Sequence, residues 1–220
     1  MTAIAIDGPS AAGKSTVARR IASDLGYIYV DTGALYRAIG LAAIRRGTDT
    51  TDVDMVSALL SGIILDITYG MDGQHILLNG EDVSEVIRSP EVGMAASDVS
   101  AHPVVRDFLL EQQRSLARSN NVVMDGRDIG TVVLPDADVK VYLTASPEER
   151  TRRRVLDHEA RGEQVDYETL LRDICQRDYN DMNRAAAPLR QAEDAVLVDS
   201  TGLELDQVVD AIKALVEERG

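Results

Sequence analysis

The stretch AIAIDGPSAAGKST, from Ala3 to Thr16, sets a short apolar run directly before a glycine-rich loop and opens a helical pattern at Lys14. Few folds accept that order. A short run with no polar residue before Asp7 reads as a strand buried on both faces, and such strands belong to parallel sheets covered by helices. Four more runs have the same character, at 27–30, 122–125, 139–143 and 195–198. Helical patterns separate them at 14–25, 33–46, 103–119, 147–161, 167–183 and 205–218. Ser146, Pro147 and Glu149 form a helix start, with a cap, a proline in the first turn and an acid three residues on. The alternation predicts an α/β fold: a five-stranded parallel sheet flanked by helices.

One region breaks the alternation. Residues 63–84 read as two strands joined by a turn at Gly70–Gly73, with a second turn near Gly80. This predicts a small antiparallel β insert within a single domain. The expected division is a core at about 1–58, 103–145 and 163–220, an insert at 59–102, and a short arginine-rich lid at 146–162.

The loop itself states its chemistry. Gly8-x4-Gly13-Lys14-Ser15 matches the phosphate-binding pattern in the required context, after a strand and opening a helix. Backbone N–H groups of Gly8, Pro9, Ser10, Ala11, Ala12, Gly13, Lys14, Ser15 and Thr16 (proline excepted) curl around phosphate oxygens, so side chains are unwelcome at the glycines. The helix N-terminus adds partial positive charge. Lys14 is expected on the β/γ oxygens, and the Ser15 hydroxyl on Mg2+. The chain has no Asn-Lys-x-Asp guanine reader, so ATP is favoured over GTP.

Charge narrows the partners. A net charge of −14 opposes nonspecific binding to nucleic acid and to anionic membranes, and no apolar stretch approaches membrane-spanning length. The 23 basic residues include only three lysines, and between Gly47 and Ile87 there is none. Phosphate contacts therefore lie outside the insert. Cys175, the single cysteine, excludes an internal disulfide; it sits in a helical pattern and reads as a packing residue in a reducing, cytoplasmic setting. His75, His102 and His158 are scattered without ligand spacing.

A motor or switch ATPase and a small-molecule kinase can share this loop; a second anion site separates them, and three stretches are candidates for one. In DTGALYR, Asp31, Thr32 and Gly33 open a helix and Arg37 follows one turn in, as a phosphate monoester requires; an ordinary capped helix would look the same. In MDGRDIG, Asp125 can organise Mg2+ and Arg127 can clamp a phosphate, with Asp128 beside it. In RDYNDMNR, Arg177, Asp181 and Arg184 share one helix face, which also describes a solvated ladder of ion pairs. The ERTRRR run supplies Arg150, Arg153 and Arg154, either as a basic helix face or as a lid that excludes water.

Taken together, IDGPSAAGKST, DTGALYR, MDGRDIGTVV with PDA after it, ASPEER and QRDYNDMNRAAAPL resemble the bacterial cytidylate kinases, within the P-loop nucleoside monophosphate kinases. The match runs in order over the whole chain. The resemblance implies transfer of the γ-phosphoryl group of ATP to CMP or dCMP with Mg2+; a monomer is expected. It implies acceptor-phosphate contacts at Thr32, Arg37 and Arg127, base contacts at Ser97, Arg106, Asp128 and Arg184, and sugar contacts at Arg177 and Asp181. Ser97 and Arg106 rest on the resemblance alone; by themselves they read as a helix cap and a surface arginine. A carboxylate suits the N4 donor of cytosine, and arginine suits its N3 and O2. Lys14, Arg127 and Arg177 are the expected charge stabilisers and Asp125 the residue near the metal, with Arg153 and Arg154 on ATP. The alternatives are another P-loop kinase, for adenylate or shikimate, and an ATP-binding regulatory module without catalysis.

Overall fold

The computed structural model describes residues 1–70 and 73–219 and divides into two compact units, Met1–Ile28 with Asn120–Gly220, and Tyr29–Ser119. In the first unit, β1 (Ala3–Asp7), β6 (Val122–Gly126), β7 (Val139–Thr144) and β8 (Val196–Asp199) form ladders, with β1 parallel to both β6 and β7, and β7 parallel to β8. A further strand, β2 (Ile28–Asp31), completes the expected five-stranded sheet, in the order β2-β6-β1-β7-β8. Ile4, Ile6, Val123, Met124, Val141 and Leu143 are fully or almost fully buried, as a sheet covered on both faces demands.

Helix α1 (Lys14–Leu25) packs on β6 through Val17, Ala18 and Ile21, whose spacing places them on one face. Gly26 ends it in the left-handed conformation, donating back to Ala22 and Ser23. Helix α8 (Leu205–Arg219) packs on α1 and β7 with Val208, Val209, Ile212 and Val216. Helices α6 (Pro147–Glu159) and α7 (Tyr167–Asn183) pack on each other. Ser146 caps α6 by accepting from the Glu149 N–H at 3.1 Å, as its sequence signature requires.

The second unit has its own core. Helix α2 (Thr32–Arg46) runs through it with Leu35, Ala38, Ile39 and Ala43 buried, against α3 (Val53–Leu60), α4 (Pro90–Val99) and α5 (Pro103–Ser119). Gly40 permits the close approach of α4, because a Cβ there would lie 2.9 Å from the Ala96 backbone nitrogen. The insert is antiparallel as expected but has three strands, β3 (Leu65–Gly70), β4 (Gly73–Leu78) and the two-residue β5 (Glu81–Asp82). The central residues of the expected turn at Gly70–Gly73, Met71 and Asp72, lie outside the described residues. Helices α3 and α4 were not expected. The eight-residue α3 is too short for periodicity to declare it, although Asp52 caps it, and α4 starts at a legible Ser89-Pro90-Glu91 signal.

Cys175 corrects another expectation. It is exposed on α7, because the buried side chains of that helix are Ile174, Asp178 and Asp181. Among the described residues no helix is long and apolar enough to cross a membrane.

Candidate active site

Between β1 and α1 the backbone takes positive φ at Gly8, Ala11 and Gly13. Alternating backbone hand turns successive N–H groups toward one side and makes a concavity for an anion. Gly13 caps α1 without a side chain, so the N–H groups of the first turn face that concavity. Gly8 also lies against β7, where a Cβ would stand 1.9 Å from the Leu143 carbonyl oxygen.

Lys14 is buried and donates from Nζ to the Pro9 carbonyl at 2.7 Å. Burial and then the Arg127 charge pull its pKa down to about 7, against the opposite pull of Asp125 and Asp181. The Ser15 hydroxyl donates to Asp125 Oδ2 at 2.9 Å, across from the loop to the end of β6. One hydroxyl beside one carboxylate suits Mg2+, which keeps most of its own water and takes few protein ligands. Among the described residues no cluster of three or more His, Cys, Asp or Glu side chains offers an all-protein cage.

Helices α6 and α7 brace the loop at Ser10. Its N–H donates to Asp178 Oδ1 at 3.2 Å, and its carbonyl accepts from Arg150 Nη1 at 2.9 Å. Arg150 and Asp178 are themselves paired at 2.6 Å and buried. Arg153 stands nearby: its Nη1 would be 3.8 Å from a Cβ at Gly13, and it donates to the Ser200 hydroxyl and carbonyl at 3.0 and 2.6 Å. Arg154 is half-buried on α6.

At the end of β6, Asp125 and Gly126 lead through Arg127 and Asp128 into a wide helical turn at Ile129–Val133. Arg127 Nε donates to Asp181 Oδ2 at 2.8 Å, and Arg184 lies 3.7 Å from Asp181 and 3.8 Å from Asp128. Burial opposes ionisation of Asp181, but Arg127, its hydrogen bond, Arg177 and Arg184 outweigh it and hold the carboxyl below its usual range. Arg127 is likewise held above its usual value: burial works against its charge, and Asp181 more than compensates. The RDYNDMNR face is therefore no solvated ladder. Asp181 and Asp178 are buried, and Arg184 follows the last helical residue, its guanidinium donating to the Ala187 carbonyl at 2.9 and 2.7 Å.

The remaining expected residues lie in the second unit. Asp31 caps α2 by accepting from the Ala34 N–H at 3.0 Å, and its own N–H donates to Gln74 at 2.7 Å. Thr32 is buried at the first helical position. Arg37 donates to the Ile87 carbonyl at 3.1 Å and lies over Gly93, where a Cβ would crowd its Nη1 at 3.1 Å. Ser97 is half-buried on α4, its carbonyl accepting from the Ser100 hydroxyl. Arg106 is not a surface arginine. It is buried, donates to the Ser100 carbonyl at 2.9 Å, and lies over the Tyr36 ring at 5.4 Å.

Sequence reasoning passed over Asp7 and Asp178, and over the fixed seat of Arg150. Asp7 was absorbed as the end of a strand. Its one legible signal is an ionisable group closing an otherwise apolar run that is buried throughout.

A family model for cytidylate kinase matches residues 4–218. A cytidylate kinase of Caldicellulosiruptor saccharolyticus is 50% identical over 96% of this chain and 94% of its own length. One from Geobacillus sp. strain WCH70 is 49% identical over 98% and 96%. Among solved structures, a gluconokinase from Sinorhizobium meliloti 1021 covers 99% of this chain and 93% of its own at 16% identity and a TM-score of 0.50, a likeness of fold alone.

Proposed function

The chain belongs to the cytidylate kinase family, and on that premise we propose that it transfers the γ-phosphoryl group of ATP to CMP or dCMP, giving ADP and CDP or dCDP. The observation that carries the acceptor is the buried pair of Asp128 and Arg184. A carboxylate accepts from the N4 amine of cytosine, and a guanidinium donates to N3 and O2. Uracil would set its O4 acceptor against the carboxylate.

The loop Gly8–Thr16 takes the ATP phosphates on its N–H groups. Lys14, held near neutral pKa in the free protein, gains its full charge against the β/γ oxygens. Ser15 and Asp125 are the residues to hold Mg2+, which when bound neutralises phosphate charge. Arg127 and Arg177 supply further positive charge, and Arg153 and Arg154 belong with ATP. The same reading assigns the acceptor phosphate to Thr32, Arg37 and Arg127, the base also to Ser97 and Arg106, and the sugar to Arg177 and Asp181. The acceptor oxygen is already anionic, so the reaction needs positioning and charge neutralisation rather than a strong base. Residues 59–102 serve as the nucleotide-monophosphate insert and 146–162 as the lid. The working form is a cytoplasmic monomer.

The test is kcat/KM with CMP, dCMP, UMP, AMP and shikimate as acceptors, for the wild type and Asp128→Asn. The expected result is ADP formation that requires CMP or dCMP, with a preference over UMP on the order of 10^4 that collapses in Asp128→Asn. Equal values for CMP and UMP refute the base assignment. ATP turnover indifferent to every acceptor refutes the kinase.

A further inference from the structure

The carboxylate of Asp7 spans two consecutive backbone N–H groups, accepting from Ile129 at 2.8 Å (Oδ1) and from Gly130 at 2.7 Å (Oδ2). These open the wide turn whose own bonds run from the Val132 and Val133 N–H groups to the Asp128 carbonyl, and from Leu134 to Ile129. The first N–H groups of any helical turn have no partner within it. Here the partner is neither a local cap nor solvent. It is a buried acid from another strand, with 5% of its surface exposed.

Burial raises the Asp7 pKa to about 6, with the Asp128 charge adding to the rise and the two N–H bonds and Lys14 opposing it. A buried carboxylate is costly to keep, and an apolar residue would serve β1 better if strand packing were the only demand. The two bonds land immediately after Arg127 and Asp128. The backbone of Asp7, in contrast, is held independently of its side chain, in register with Gly126 on β6 and Tyr142 on β7.

We propose that Asp7 is a positioning residue for the acceptor nucleotide: its carboxylate anchors the turn that aims Arg127 and Asp128, while the sheet alone fixes the start of the ATP loop. The inference rests on the assignment of Arg127 and Asp128 to the acceptor made above. It separates two effects that ordinary destabilisation would mix. Loss of the carboxylate frees the 127–130 turn and leaves Gly8 where β1 puts it.

Asp7→Asn is the direct test. The amide oxygen can replace one acceptor, while the NH2 group confronts the other N–H. The expected result is a rise in KM for CMP of about tenfold or more and a CMP-over-UMP preference reduced by a similar factor, with KM for ATP within about twofold of the wild type. A merely structural role would move KM for both substrates, or neither. Gly130→Ala provides a second route that keeps the acid. Its Cβ would press on Lys140 Cδ at 3.2 Å while touching Asp7 Oδ2 at 3.4 Å, so relief of the Lys140 contact shifts the turn against its anchor, and the same CMP-selective loss is expected. If Asp7→Asn does not unfold cooperatively, Gly130→Ala decides. Folded variants with unchanged CMP kinetics, or with equal losses for ATP and CMP, overturn the proposal. Asp128→Asn runs beside them. If it keeps the CMP-over-UMP preference, the assignment beneath the proposal falls, and the proposal with it. If it loses the preference while Asp7→Asn and Gly130→Ala do not, only the anchor is refuted.

Discussion

Substituting alanine at Gly8 and at Gly13 separates two reasons for a glycine within one loop. Both residues have positive φ, 152° at Gly8 and 88° at Gly13, so both substitutions incur backbone strain of about 1–3 kcal/mol. Their surroundings differ. At Gly13 the nearest atom to a new Cβ is Arg153 Nη1 at 3.8 Å, an ordinary contact with the end of a flexible side chain. At Gly8 the nearest is the Leu143 carbonyl oxygen at 1.9 Å, with its carbon at 3.0 Å. That carbonyl belongs to β7, which is laddered to β1 on one side and β8 on the other, so it cannot move alone. The loop must lift off the sheet by an ångström or more. Overpacking of this kind adds about 1–3 kcal/mol to the strain, giving a total of about 2–6 kcal/mol for Gly8→Ala against about 1–3 for Gly13→Ala. Denaturant unfolding measures the difference in stability, and KM for ATP measures the displaced loop. Gly8→Ala should be the less stable by about 1–3 kcal/mol and should raise KM for ATP about tenfold or more. Equal stabilities, or a greater loss in Gly13→Ala, would refute the argument that the sheet rather than φ alone demands glycine at position 8.

Asp181→Ala leaves the guanidiniums of Arg127 and Arg184 buried without their shared carboxylate and should cost about 3–5 kcal/mol in denaturant unfolding, while loss below 1 kcal/mol would show the pair to be screened. Because the folded state holds the Asp181 carboxyl below its usual range, its stabilisation is present above the unfolded value of about 3.9 and disappears as pH falls through the folded one; Asp181→Asn should flatten the acid limb of a stability–pH curve, and an unchanged limb contradicts this. Gly40→Ala would raise stability by about 1 kcal/mol in an exposed helix, but against Ala95 and Ala96 of α4 it should lower it by about 1–3 kcal/mol, so the sign of the change in Tm decides whether the helix contact is as close as 2.9 Å.

Local chemistry explains which parts were legible. The phosphate loop, the strands and the capped helix starts at Asp31 and Ser146 each depend on residues within a few positions, so their signals survive in the linear text. Short elements were lost. Helix α3 has eight residues, little more than two turns, and β5 two, a single alternation, too few repeats of either pattern to stand out. The candidate site divides in the same way. Lys14 and Ser15 announce themselves because their roles follow from standing at a helix N-terminus. Asp178 gives no such sign, since its importance lies in meeting Arg150 and the Ser10 peptide, residues 28 and 168 positions away.

By itself, the sequence determined an α/β sheet, a triphosphate loop after its first strand, and a set of arginines and acids at later strand ends. These follow from periodicity and from the geometry of neighbours along the chain. Only the tertiary structure decided that the Asp181 carboxylate between Arg127 and Arg184 is buried, that Arg150 braces the ATP loop, and that Asp7 caps a turn 122 residues away. Charges are ambiguous in a sequence because the same Arg–Asp spacing serves a wet surface and a dry site. Burial separates the two, and burial is a property of what folds over the residue.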